Sequence, residues 1–481
     1  MMNLMDRRSF LKIIGAGTVA GALNPLQLAS CTNTKGSGGT RFRQLDPLDF
    51  DVAVVGAGAA GIPAAIAAAR GGARVVLIEE DTVPGGAPVD MYVTFVCGDP
   101  RVGIFNDMMQ ELNRRYPLKG TPISGFGKYG WTGNYHFWLP SAFQTVVCEM
   151  LAREENITLM CGATVIDTLT HDAGNRTKVE GVRILRGYNT LQDIRAKITV
   201  DATGTGLVAA QAGCEFMYGR EARSDYNESV GIEKGDSQPQ HCTLMYITQR
   251  LRRDARLPFD KIPRWDALEA DFRWIDAKDD PQAMERRDAG IFLRWGQSVV
   301  CPDTLDSIAI AEAHGEILRK IQPELDALHD AGFGVHLAPK LGVRECRRIK
   351  GETVITYDHI AQGTMPDDKI ADARYSIDSW GLKDLPVHLK QVPPYGIPYR
   401  AVVPLATEGL LLAGRIISGT HIAASSYRVQ PICAAIGEAV GTAAAMLAEK
   451  KIPVREIDLR KLQAALDAKG LFDVYKNSDN H

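Results

Sequence analysis

The side chains best suited to proton and anion chemistry lie in two short stretches. His421 and Arg428 fall in IISGTHIAASSYRVQP, residues 416–431, and Arg344 is the first of three arginines in GVRECRR, residues 342–348. Taking a hydride from an alcohol or amine leaves a proton behind, and histidine is the commonest base for it near neutral pH. His421 is therefore a candidate base or substrate hydrogen-bond partner. The plainer reading is a histidine that holds its loop by bonding backbone. Arg428 suits a substrate anion or the carbonyl edge of a cofactor ring, against a salt bridge inside the turn. On a strand, Arg344, Cys346 and Arg348 would share one face. Arg344 would then be aimed at a bound ring, or the strand would be solvated and salt-bridged. Tyr395 and Tyr399 flank Ile397-Pro398 and either wall a pocket or fill core. His241, at the start of a predicted strand from Thr243 to Ile247, reads as structural.

What must position these residues is the stretch 50–80, FDVAVVGAGAAGIPAAIAAARGGARVVLIEE. Asp51 to Val55 suits a buried parallel strand. It runs into Gly56, Gly58 and Gly61 with Ala59 and Ala60 between them, the G-x-G-x-x-G spacing of a dinucleotide turn. The first glycine makes the turn, the second admits a pyrophosphate to the backbone, and the third lets the helix pack on the sheet. The helix after it is almost all alanine, and its N-terminus would face the phosphates. A second strand, Arg74 to Ile78, ends on Glu79 with Glu80 beside it, near the ~20-residue spacing of a ribose-binding acid. An acid there favours an unphosphorylated ribose, hence FAD or NAD over NADP.

Three later features separate the two cofactors. Pro84-Gly85-Gly86 resembles the loop that passes the ribityl part of FAD. Asp201-Ala202-Thr203-Gly204 resembles the A-T-G motif at which the chain returns to an FAD domain. Gly409 to Arg415, GLLLAGR, ends a buried strand at Gly414, and ICAAIGEAVGTAAAMLAEK is the helix beyond the 416–431 loop. Cys433, Gly437, Gly441 and Ala445 give that helix one face of small side chains, fit to press on a sheet or a ring. With GVRECRRIKGE and LLLAGRIISGTHIAASSYRVQP, these features resemble the bacterial FAD-dependent oxidoreductase family of the glutathione-reductase-like superfamily, over about residues 50–450. The resemblance implies an α/β fold. It has a Rossmann-like FAD-binding domain, with parallel sheet, βαβ unit and β-meander, and an inserted α+β substrate domain. It implies that the last helix points its N-terminus at the pyrimidine edge of the flavin. The cofactor-binding set then includes Val165, Ala202, Thr203, Gly204, Gly414, Arg415 and Val429. Arg415 stands where many relatives carry an acid. With no histidine, cysteine or tyrosine at the P-G-G-A-P loop, the FAD is expected to be non-covalent. A single nucleotide fingerprint implies that electrons pass to a separate acceptor. A non-catalytic flavin-binding protein and an NAD-dependent dehydrogenase are the alternatives.

The chain has 481 residues and a formal charge of −3. Without a basic stripe, nucleic-acid binding is not expected. Nine cysteines are scattered without C-x-x-C or metal-ligand spacing, so no metal site is expected. Cys148 and Cys433 sit among apolar neighbours and read as core residues. Near the start, Arg7-Arg8-Ser9-Phe10-Leu11-Lys12 resembles a twin-arginine export signal, and Leu28-Ala29-Ser30-Cys31 resembles a lipobox. They imply transfer by the twin-arginine machinery to the periplasmic side and a lipid anchor at Cys31. The expected organisation is a signal over 1–31, a tether over 32–49, an FAD-binding domain over 50–215 and 396–450, a substrate domain over 216–395 and a C-terminal helix and tail over 451–481. Helices are expected at Phe137–Glu154, Ile308–Gln322, Pro323–Ala331 and Val454–Leu471. Strands are expected at Ile157–Met160, Gly162–Asp167 and Val179–Arg186.

Overall fold

A computed structural model of the chain describes residues 42–115, 118–122, 138–252, 254–256, 258, 267–272, 291–294, 297–382, 385–388 and 390–472. The export signal, the lipobox with Cys31 and most of the tether lie outside them.

The central sheet grows from strand β1, Leu48–Val55, whose last four residues are buried. Helix α1, Gly61–Arg70, follows the glycine turn, and β2, Val75–Glu79, returns beside β1 in parallel. Strand β3, Ile157–Cys161, extends the sheet beyond β2. Three strands then form an antiparallel meander: β4 (Ala163–Asp172), β5 (Thr177–Arg186) and β6 (Thr190–Asp201). The far half of β6 runs parallel to β1, and β7, Leu410–Leu412, pairs in parallel with its other edge. The result is an α/β fold with a parallel core, a βαβ unit around the glycine turn and a meander, as expected.

Helix α4, Gln430–Lys450, is long and apolar enough by composition to cross a bilayer, but nearly all of it is buried in the protein. It packs on helix α1. A Cβ at Gly437 would lie 2.0 Å from Ala60 O, and one at Gly441 would lie 2.1 Å from Ala64 O. Ala445 abuts Gly71 just past the end of α1. The alanines of α1 and the glycines of α4 are thus two halves of one backbone-to-backbone contact.

A second core gathers Cys242, Tyr246, Phe292, Ile317, Ile321, Phe333 and Leu341. Its five-stranded antiparallel sheet runs in the order Phe333–Leu337, Tyr246–Arg250, Ile291–Arg294, Ala267–Phe272, Leu118–Pro122. The last of these comes from the segment assigned to the cofactor domain. Residues 349–403 contribute Ile349, Tyr357, Ile370 and Tyr395 to the first core. The packing is therefore narrower than the 216–395 boundaries. Over this sheet lies α2, Ser307–Asp330, a single helix where two were expected. Pro323 is inside it. Proline removes the hydrogen bond to the carbonyl four residues back, and here both Arg319 and Pro323 lie on the exposed side of the helix. The expected strand 243–247 is broken into Cys242–Thr243 and Tyr246–Arg250. The expected final helix is a short turn, Val454–Glu456, followed by Leu459–Asp467.

Candidate active site

The glycine turn is shaped by contact. Gly56 has φ +99°, and a Cβ there would lie 2.5 Å from Ala202 O. A Cβ on Gly61 would fall 1.7 Å from Gly56 O, so only hydrogen fits. Around Gly58, by contrast, a Cβ would meet nothing closer than Gly86 Cα at 3.9 Å. That side of the turn is open to a ligand. Ala59 and Ala60 lead into α1, which has no side-chain cap; in its first turn Ile62 N–H donates to Gly58 O at 3.1 Å and Pro63 has no N–H, so an anion would meet the backbone of the turn before them. Glu79 reaches back from the tip of β2. Its carboxylate accepts the N–H of Ala57 at 2.6 Å and of Asp81 at 2.9 Å. Burial raises its pKa, and the two N–H bonds work against that. Glu80 is exposed and faces Lys340 at 3.8 Å.

Other parts of the chain converge on this turn. Gly85 N–H donates to Ala57 O at 2.8 Å, and Gly86 crosses against Gly58. Ala202 N–H donates to Val55 O at 2.8 Å. Beyond it, buried Asp201 accepts from the Thr203 hydroxyl at 2.7 Å and from Ala209 N–H at 2.9 Å, while Thr203 Oγ accepts from Gly206 N–H. These bonds fix the loop through Gly204. Gly414 lies against Ala60 and Cys433, where β7, α1 and α4 meet. Val429 is the N-cap of α4 and supplies no side-chain cap, which leaves that N-terminus open as well. Val165 stands in β4 opposite Ile184, close beyond Gly162, whose N–H donates to Asp81 O.

An open cradle at Gly58 and two uncapped helix N-termini, around a turn where side chains are excluded, fit a dinucleotide with a ring at its far end. The family described as FAD dependent oxidoreductase matches residues 51–466. The chain belongs to this family. FAD is its cofactor and the protein is an oxidoreductase enzyme. Similar solved structures include the anhydrotetracycline hydroxylase OxyS from Streptomyces rimosus, at 15% identity and TM-score 0.42, covering 88% of this chain and 65% of that one. The myxobacterial halogenase CndH has 14% identity and TM-score 0.41, covering 88% and 79%. A geranylgeranyl bacteriochlorophyll reductase-like protein from Thermoplasma acidophilum has 16% identity and TM-score 0.38, covering 88% and 84%. The chain thus spans less than two thirds of the hydroxylase. No curated protein matches.

In this FAD-dependent oxidoreductase, Arg415 joins the cofactor turn to the 342–348 stretch. Its guanidinium donates to Gly204 O at 2.8 Å and to Val343 O at 2.5 Å, with Cys346 Sγ at 3.8 Å. Residues 343–347 are not a strand. Glu345 and Arg348 form a buried ion pair three residues apart, which an extended chain would not allow. Arg344, Cys346 and Arg348 therefore go to different places. Arg344 donates to His241 O at 3.2 Å and Thr243 Oγ at 2.9 Å, and lies over the Trp380 ring at 4.7 Å. Arg347 donates to Thr205 O, beside the A-T-G loop. Arg348 is 1% exposed and binds Gly219 O, Gly419 O, Glu221 and Glu345.

The 416–431 stretch is not all loop. Thr420 accepts Ala423 N–H and caps helix α3, His421–Tyr427. His421, its first residue, is 2% exposed. Its Nδ1 stands 2.8 Å from Glu345 Oε1, and its backbone N–H donates to Glu221 at 2.8 Å. Its Nε2 is buried and has no hydrogen-bond partner. Arg428 ends α3 and donates to Asp378 O at 2.9 Å and Oδ2 at 3.3 Å. Burial works to raise the pKa of Glu345, yet His421 and Arg348 hold it below the usual range. Tyr395 and Tyr399 are buried core residues, their hydroxyls bonded to Ser426 Oγ and Val454 O. His241 is half-buried beside Ser298 and Gly381. Sequence reasoning missed Glu345, Glu221 and Asp378. Glu345 lies inside the arginine run, but its partner is 76 positions away.

Proposed function

We propose that this enzyme moves a hydride between a small organic substrate and non-covalently bound FAD, with His421 handling the substrate proton. The observation that carries the reading is the Glu345–His421 pair, whose outer nitrogen is buried without a partner. His421 Nδ1–H donates a hydrogen bond to Glu345 in this reading, which leaves Nε2 free as a base. FAD, when bound, supplies the two-electron acceptor. In the oxidising direction the substrate C–H electron pair leaves as hydride, and the hydroxyl or amine proton goes to His421 Nε2. The chain of contacts from Gly56 through Ala202, Gly204, Arg415 and Val343 to Glu345 ties this base to the cofactor turn.

With only one nucleotide fingerprint in the sequence, the electrons then pass to a separate acceptor. The first 31 residues carry the protein through the twin-arginine machinery, and Cys31 anchors it on the periplasmic side. The test is an anaerobic scan of the holoenzyme against alcohols, hydroxy acids and amines. Bleaching of the bound flavin by one of them, slowed in H421N with flavin content unchanged, is the expected result. Stable FAD that no substrate bleaches would point to a non-catalytic carrier instead.

A further inference from the structure

The guanidinium groups of Arg344 and Arg428 gather on one short segment. Arg344 lies over the Trp380 ring, and Arg428 holds the carbonyl and carboxylate of Asp378, two residues earlier. The charge there is not balanced. Among the described residues Arg344 has no carboxylate within ion-pair reach, and its hydrogen bonds go to neutral oxygens. Asp378 is the acid paired with Arg428, at 3.3 Å, and it also accepts from Tyr375 Oη at 3.3 Å. Arg428 Nε is buried without an acceptor. Two cations therefore share one acid in a largely buried setting, where unpaired charge is costly. Burial, and then the nearby Arg428, push Arg344 down to about 10, which leaves it protonated at neutral pH. An anionic ligand would complete the set. Planar guanidinium groups suit a carboxylate, which they can bind through paired N–H donors.

The site adjoins the proposed base. Arg344 precedes Glu345, and Arg428 closes the helix that His421 opens. Gln240 links the two sides. Its N–H donates to Glu345 at 2.9 Å and its Nε2 to Ser425 Oγ at 3.1 Å. We propose that the substrate is a small organic acid whose carboxylate is held between Arg344 and Arg428, with Trp380 as the wall behind it. This rests on the hydride-transfer reading above for the identity of the substrate, but not for the existence of the anion site.

Calorimetry on the purified holoenzyme tests it without turnover. Small mono- and dicarboxylates are titrated in, each beside its primary amide. Carboxylates are expected to bind and amides not. R344Q and R428Q are each expected to weaken binding by about tenfold or more while FAD content is unchanged. R344K, which keeps the charge but loses the planar fork, should fall between. Amides binding as well as carboxylates, no carboxylate binding at all, or unchanged affinity in R344Q and R344K would overturn the proposal. So would loss of FAD from the arginine variants with carboxylate affinity intact, since the arginines would then serve the cofactor. Carboxylate binding without flavin bleaching by any compound would sink the hydride reading and leave this one standing. Bleaching by a neutral alcohol without carboxylate binding would do the reverse.

Discussion

Glu345 Oε1 and His421 Nδ1 face each other at 2.8 Å, and both side chains are 2% exposed. Arg348 closes the same group and is shared with Glu221. The group brings together two carboxylates, one guanidinium and one imidazole. A buried group of this kind holds together only while every member keeps its partner.

The pair predicts two separable effects. H421N should slow flavin reduction by about 10²–10⁴-fold, the range for loss of a positioned base. E345Q should slow it less and change the pH profile, since the amide no longer selects the Nδ1–H tautomer. Stopped-flow reduction across pH measures both. Stability should respond to acid. Glu345 is held below the ordinary carboxylate range, so its contribution is complete above the unfolded value of 4.5 and fades as pH falls through the folded value. In thermal melts below pH 4.5, E345Q should flatten this acid limb. Unchanged kinetics in both variants would remove His421 from the chemistry.

The contact between α1 and α4 predicts a stability cost without any change in polarity. In G437A and G441A the new methyl meets the backbone oxygen of Ala60 or Ala64. Overpacking of this kind costs about 1–3 kcal/mol. G437A should also release FAD, because Ala60 belongs to the cofactor turn. G72A is the control. Its φ of +87° carries strain, but nothing lies within 4 Å of the added carbon. It should melt slightly lower and keep its flavin. Melting curves and the ratio of flavin to protein absorbance give both readouts.

His359 supplies a second pH dependence. Its Nε2 is 2.8 Å from Gly396 O, and its ring stands edge-on to Tyr395. Burial lowers its pKa from 6.5, against the Gly396 bond and Asp368. The unfolded chain therefore binds the proton first. Stability from neutral His359 is complete above pH 6.5 and is lost as pH falls from there toward the folded value. H359Q should lower the melting temperature at pH 8 and narrow the difference between pH 8 and pH 5.5.

The parts of the site legible in the sequence were those where backbone geometry dictates residue type. Gly56 and Gly61 are glycine because Ala202 O and Gly56 O occupy the space of a side chain. That constraint leaves a fixed spacing. The small face of α4 announced a close approach, but not its partner, because alanines in α1 have many uses. The helix at His421 had one signal, the cap residue Thr420, outweighed by the glycine and serines around it. Glu345 and Glu221 had none. Their roles come from His421 and Arg348, which the fold brings to them across long stretches of chain.

Arg415 sets the last prediction. Its guanidinium donates through different nitrogens to Gly204 O and Val343 O, so it fastens the A-T-G loop to the segment that carries Arg344 and Glu345. A lysine keeps the charge, but one ammonium on a flexible stem cannot reproduce the fork. Losing one charged hydrogen bond costs about 1.5–3 kcal/mol. R415K should therefore bind FAD roughly tenfold or more weakly and, at saturating FAD, turn over more slowly, because both sides of the site loosen together. R415Q should be worse on both counts. Fluorescence titration of the apoprotein with FAD, followed by kinetics at saturation, separates the two effects. If R415K kept full affinity and full rate, the link between the cofactor turn and the Glu345–His421 pair would run through some other contact.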